Sequence, residues 1–189
     1  AGNESAIVER TVTLDRTAPY VWAPTIGFRR GASASVASVP ATVAWSVVDR
    51  TTAVAAVDVL EERDGILLEQ GGGMLRPSVV EPLASAVPVT MSAAGAWRFG
   101  IRATDVVGNV SAPRWTALAR VLARDDPSTA IHWTGTWSRA ATSRAWGGST
   151  RHASRAGATA WLSFTGRSIA LVAPRGPTRG AARIYVDGI

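Results

Sequence analysis

The stretch Ala96-Trp97-Arg98-Phe99-Gly100-Ile101-Arg102-Ala103-Thr104-Asp105 sets Trp97, Phe99, Ile101 and Ala103 against Arg98, Gly100, Arg102 and Thr104 at a period of two. Only an extended chain sends alternate residues to opposite faces, so this run predicts a strand with one face buried and the other wetted. Other segments point the same way. Thr42-Val43-Ala44-Trp45-Ser46-Val47-Val48, bounded by Pro40 and Asp49, predicts a buried strand that carries Trp45 into a core. Ala53 to Glu62 and Ile66 to Gln70 flank Arg63-Asp64-Gly65, whose Asp-Gly pair predicts a tight hairpin turn. Gly71-Gly72-Gly73 marks a loop, and Val87 to Met91 a short strand after the loop holding Pro77 and Pro82. The expected fold class is all-β.

A repeat suggests how the strands are grouped. Gly2-Asn3-Glu4-Ser5-Ala6 returns as Gly108-Asn109-Val110-Ser111-Ala112, and each copy is followed by an alternating stretch and then a proline, Pro19 or Pro127. The period, about 100 residues, is that of one immunoglobulin-sized sandwich. Residues 1–16 are accordingly expected to be the last strand of a preceding repeat, 17–123 a sandwich, 124–130 a polar linker and 131–189 a second unit. Ala96 to Asp105, closed by Gly108-Asn109-Val110-Ser111, resembles the penultimate strand and turn of fibronectin type III and bacterial immunoglobulin-like surface domains. Val43-Ala44-Trp45-Ser46 with Asp49 resembles their second strand, and Trp97 stands where that family usually carries tyrosine.

The second unit has a different composition. Trp137-Ser138, Trp146-Gly147-Gly148-Ser149-Thr150, Arg155 to Ala160, Leu162-Ser163-Phe164-Thr165-Gly166, Pro174-Arg175-Gly176-Pro177 and Tyr185-Val186-Asp187-Gly188 follow in that order. Together they resemble the first half of a galactose-binding-like jelly roll of bacterial surface proteins and secreted hydrolases. Asp187-Gly188 is again a hairpin signal. Strands at Ala160 to Phe164 and Ala182 to Val186 are expected to leave an apolar face or an edge unpaired, marking 131–189 as an incomplete fold.

Chemistry is bounded mainly by omission. There is no cysteine, hence no disulfide, thiolate zinc site or cysteine nucleophile. His132 and His152 are the only histidines, and no HExxH, Gly-x-Ser-x-Gly, phosphate-loop or dinucleotide fingerprint occurs. No catalytic residue is expected. No apolar run nears the roughly 20 residues of a membrane span. Ala1-Gly2-Asn3-Glu4-Ser5 lacks the features of a signal peptide, so an export signal is expected upstream. Asp105 and Asn109, with Asp49, Asp125 or Asp126, could offer oxygen atoms to Ca²⁺, although a left-handed turn explains the same residues. No other cofactor is implied. The sequons at Asn3 and Asn109 are copies of one turn, which favours structure over glycosylation.

All 20 basic residues are arginine, a pattern that codon bias of a GC-rich genome explains. Their distribution says more. Residues 1–123 hold 11 Arg against 11 acidic residues, and 124–189 hold 9 Arg against 3 Asp, so the whole net charge of +6 lies in the linker and second unit together. That unit also carries four of the eight tryptophans. Indole faces stack on sugar rings and arginine forks hold hydroxyl, carboxylate or phosphate oxygens, so Trp133, Trp146, Arg144, Arg151, Arg175, Arg179 and Tyr185 are the candidate ligand contacts. Trp137 and Trp161 are expected in a core. No nucleic-acid-binding motif accompanies the basic residues, and nucleic acid is not an expected partner. The resemblances imply a non-catalytic extracellular or cell-surface region of an exported bacterial protein, either an adhesin or a carbohydrate-recognition region. Its expected partners are neighbouring immunoglobulin-like domains and a glycan or anionic cell-wall polymer. The alternatives are an accessory tail of a secreted protease or glycosidase, and a purely structural stalk.

Overall fold

A computed structural model describes residue 9 and residues 14–35, 37–68 and 85–189. The chain is all-β: every regular element among the described residues is a strand, and every strand pairing is antiparallel. The strands to residue 68 are β1 (Tyr20–Val21), β2 (Thr25–Phe28), β3 (Val39–Ala44), β4 (Val47–Val48), β5 (Val54–Arg63) and β6 (Ile66–Leu68). Then come β7 (Ala86–Met91), β8 (Ala96–Asp105), β9 (Arg114–Trp115), β10 (Ala119–Arg120), β11 (His132–Thr134), β12 (Ser138–Ala141), β13 (Ser149–His152) and β14 (Thr159–Trp161). Most of the segment foreseen as a preceding repeat's last strand lies outside the described residues, as do Gly71 to Gly73, Pro77 and Pro82.

Two sheets form a sandwich. One has the order β2-β3-β7; in the other, β6-β5-β8 is extended by β9 and β10, which pair with different parts of β8. Their inner faces, joined by Val21 of the separate β1–β4 pair and by Trp45 just after β3, meet in one core with Ala41, Val43, Val57, Met91, Trp97, Phe99, Ile101 and Ala103. Strand β8 explains why. Its foreseen alternation is observed, with Trp97, Phe99, Ile101 and Ala103 buried and Arg98, Arg102 and Thr104 partly exposed. Burying each of the larger side chains contributes about 1.5–3 kcal/mol. A one-residue register slip would turn all of them to water.

The wetted face of β8 is tied down as well. Register sets Glu62 of β5 opposite Arg98 and Asp58 opposite Arg102. Arg98 donates to both Glu62 oxygens at 2.6 and 2.5 Å, and Arg102 donates twice to Asp58 Oδ2 at 2.9 and 2.7 Å. Between the two arginines lies Gly100, where a Cβ would stand 3.0 Å from the Trp115 ring. The missing side chain lets that indole lie flat on the strand, with the Arg98 guanidinium 4.7 Å from the ring centre. The foreseen turn is present: Asp64 and Gly65 have φ of 51° and 84°, and Asp64 Oδ1 accepts the Ala96 N–H at 2.8 Å.

Residues 124–189 are built differently. Strands β11 and β14 form one two-stranded ribbon and β12 and β13 another, and the only buried residues of this segment are Asp126 and Ser149. The Asp187-Gly188 turn forms, with reciprocal Val186–Ile189 bonds of 3.1 Å. The strand foreseen at Ala160 to Phe164 ends at Trp161, and Ala182 to Val186 form none. Among the described residues no second strand pairs with residues 162–164 or 182–186, and an unpaired strand has no ladder to hold it. The polar linker packs through Asp126, which accepts from Ser149 Oγ at 2.7 Å and pairs with Arg139 at 3.3 Å.

Candidate functional site

Of the residues singled out in the second unit, Trp133 and Arg151 come together. Trp133 is held in β11 opposite Ala160 of β14, and Arg151 lies in β13 opposite Arg139 of β12. Two guanidinium groups directly across a ribbon repel. They separate by taking different partners. Arg139 donates to Ser149 Oγ at 2.9 Å and to Asp126 Oδ2 at 3.3 Å, whereas Arg151 lies over Trp133, 4.8 Å from the ring centre. Arg151 has no carboxylate partner among the described residues, and its Nε, shut off from solvent, has no acceptor. Trp137 completes the cluster edge-to-face against Trp133 at 4.7 Å, steadied by its Nε1 bond to the Thr134 carbonyl at 3.1 Å. The result is an aromatic platform with an unneutralised donor fork.

The other candidates are dispersed. Arg144 and Trp146 lie in the turn between β12 and β13, Arg144 exposed and Trp146 partly buried. Arg175, Arg179 and Tyr185 are exposed in the strandless stretch after β14. Among the described residues, no hydrogen bond, ion pair or ring contact links these five to Trp133 or Arg151. Trp161, expected in a core, is 55% exposed and stacks on His132 at 4.1 Å, because no second layer covers its ribbon.

A second convergence lies where the loops before β1, between β4 and β5, and after β8 meet. Oxygen atoms of Asp15, Asp49 and Asp105 approach within 4.8 Å of one another. Asp49 and Asn109 were singled out from sequence alongside Asp105; Asp15 was not, and Asp125 and Asp126 lie outside the group. The missed signal is a repeated tripeptide, Asp15-Arg16-Thr17 and Asp49-Arg50-Thr51. In both copies the aspartate Oδ1 accepts the N–H of the threonine two residues on, at 2.9 Å. Asp105 does likewise with Val107 and Asn109, at 3.0 and 2.8 Å, and Asn109 Nδ2 donates to Asp105 Oδ2 at 2.7 Å.

These donors decide the charge state. Bonds from the Thr17 backbone and from the Thr52 and Thr17 hydroxyls hold the Asp15 carboxyl below its ordinary range. For Asp105, burial pushes upward most strongly, but the side chain and backbone of Asn109 and the Val107 and Gly108 N–H groups together outweigh it, and the pKa is lowered. An all-oxygen set of this kind suits a hard cation such as Ca²⁺. The N–H and O–H donors already account for the ionised carboxylates. What the group demonstrably does is knit three loops together: Asn109 Nδ2 reaches the Asp15 carbonyl at 3.3 Å, and Thr52 Oγ1 reaches Asp15 Oδ2 at 2.8 Å.

Beside these carboxylates runs a groove of about 490 Å³ that sequence reasoning did not foresee, walled by Tyr20, Trp22 and Val48 and edged by Asp49, Arg50 and Thr51. No protein-family model, no curated protein and no solved structure matches the chain.

Proposed function

We propose that the chain is a non-catalytic, extracellular adhesion or carbohydrate-recognition region of an exported bacterial protein. On this reading residues 17–123 are a fibronectin type III-like spacer, and the second unit, jelly-roll-like, is the binder of a glycan or anionic wall polymer. The observation that carries it is Arg151, a guanidinium lying on Trp133 with no carboxylate partner among the described residues. A guanidinium without a carboxylate partner offers a charge-assisted fork to a carboxylate, phosphate or hydroxyl oxygen of a ligand. Trp133 and Trp137 supply apolar faces for a sugar ring. The spacer role is supported by the sandwich's outward arginines on β8, which are taken up by Glu62 and Asp58.

The test is binding of the 189-residue chain to a glycan array and to purified anionic wall polymer. Arg151→Ala and Trp133→Ala are each expected to weaken retention at least about tenfold. Arg151→Lys, which keeps the charge and loses the fork, should recover only part. Retention unchanged in all three variants, or none by the parent chain, would leave the stalk as the better reading.

A further inference from the structure

We infer that the first sandwich carries a binding site of its own, for a neutral sugar, in the groove walled by Tyr20, Trp22 and Val48. It is a different surface from the Trp133 and Arg151 cluster and does not depend on that cluster's role.

The aromatic wall should be in the core if apolarity alone placed it. Instead Tyr20 and Trp22 are 51% and 48% exposed, while Val21 between them is buried. Residues i and i+2 of a strand share a face, and the two rings stand edge-to-face with centres 4.9 Å apart. The wall is rigid. Tyr20 pairs with Val48 across β1 and β4, the Trp22 N–H bonds the Ser46 carbonyl at 3.0 Å, and the Arg114 guanidinium lies 5.9 Å from the Tyr20 ring. The groove measures about 490 Å³ and is half open to solvent.

The edge supplies the polar half. Asp49 uses Oδ1 to hold the Thr51 and Thr52 N–H groups at 2.9 and 2.7 Å, which fixes the carboxylate at the groove, and Oδ2 makes no hydrogen bond among the described residues. Arg50 is exposed and forms no ion pair among the described residues, and the Thr51 hydroxyl is beside it. At the edge one carboxylate stands next to one guanidinium, an acceptor beside a donor. That edge complements a neutral ligand with vicinal hydroxyls, and the indole and phenol faces complement its C–H face. An anion would meet Asp49, and a cation would meet Arg50.

The experiment is saturation-transfer NMR of the 189-residue chain with chitotriose, cellotriose and maltotriose, followed by calorimetric titration of any that respond. At least one trisaccharide is expected to bind, with Trp22→Ala lowering affinity about tenfold or more and Trp22→Phe restoring most of it. Arg151→Ala should leave this binding unchanged. The thermal midpoint of Trp22→Ala should stay near that of the parent, since the indole is half-exposed. The inference fails if no trisaccharide binds the parent chain, if Trp22→Ala binds as well as the parent, or if Arg151→Ala abolishes the signal. Loss of anionic-polymer binding in Arg151→Ala alongside intact trisaccharide binding would separate the two sites.

Discussion

Phe99 and Phe164 carry the same side chain into opposite surroundings, and truncating each to alanine tests where the fold's stability resides. Phe99 sits at the middle of β8, fully buried among Val43, Val57 and Ile101, whereas Phe164 lies beyond β14 and is 43% exposed. Phe99→Ala removes a ring from a packed core and leaves a cavity, a change worth about 3–5 kcal/mol. Against the roughly 5–15 kcal/mol that holds an ordinary domain together, this is a large fraction. Each kcal/mol moves the midpoint by about 4–8 °C in a domain of this size, so Phe99→Ala should melt at least about 12 °C lower. Phe164→Ala makes no such cavity and should stay within about 0.5 kcal/mol of the parent. Guanidinium unfolding followed by tryptophan emission reads both, because Trp45 and Trp97 are buried in the sandwich core and report on its opening. An unchanged m-value would confirm that the same unit unfolds. Equal midpoint shifts for the two variants, or a Phe99→Ala loss below about 1.5 kcal/mol, would refute the placement of the core.

Two further outcomes follow from local geometry. Gly65 has a φ of 84° with nothing near its missing Cβ, so Gly65→Ala should cost about 1–2 kcal/mol through backbone conformation alone, and Gly65→Asn less; chemical denaturation of the two variants checks the difference. Asp15 and Asp105 are held below the ordinary carboxylate range in the folded chain, so their contribution is complete above the unfolded pKa of about 3.9 and disappears as the pH falls through the lower folded values. Melting curves from pH 7 to pH 2 should show stability dropping at the acid end. Asp105→Asn should flatten that drop while lowering stability at pH 7, and a steeper acid drop in the variant would overturn the argument.

How much was legible follows from the distance over which each signal acts. The alternation of β8 and both Asp-Gly turns are decided by neighbours in the chain, and all three were readable. The partners of Arg98 and Arg102 were not: alternation placed them on the outer face, but only register with β5 brings Glu62 and Asp58 opposite. Convergence of Asp15 with Asn109 spans 94 residues, and no local pattern announces it. Only the repeated Asp-Arg-Thr hinted that the loops at 15–17 and 49–51 share one geometry. Trp161 failed for the opposite reason, since an indole predicts burial only where a facing layer exists to bury it.

The charge split read from sequence gains its physical meaning from these contacts. Residues 1–123 hold arginines and acids in equal number, and three of the four ion pairs among the described residues lie in the first sandwich, two of them across the β5–β8 ladder. From residue 124 onward, Asp126 is committed to Arg139 and Ser149, and Arg139 is the only arginine of that segment in an ion pair among the described residues. The arginine surplus there is therefore not a reservoir of internal salt bridges. It must be balanced by water, counterions or an external anion, and each exposed guanidinium loses little by exchanging one of these for another. Arg151 is the exception, because its guanidinium is held over the Trp133 ring with no carboxylate partner among the described residues. Of the surplus arginines it is the one held on an aromatic ring among the described residues, which is why binding weight falls on Trp133 and Arg151 and not on the larger number of arginines around them.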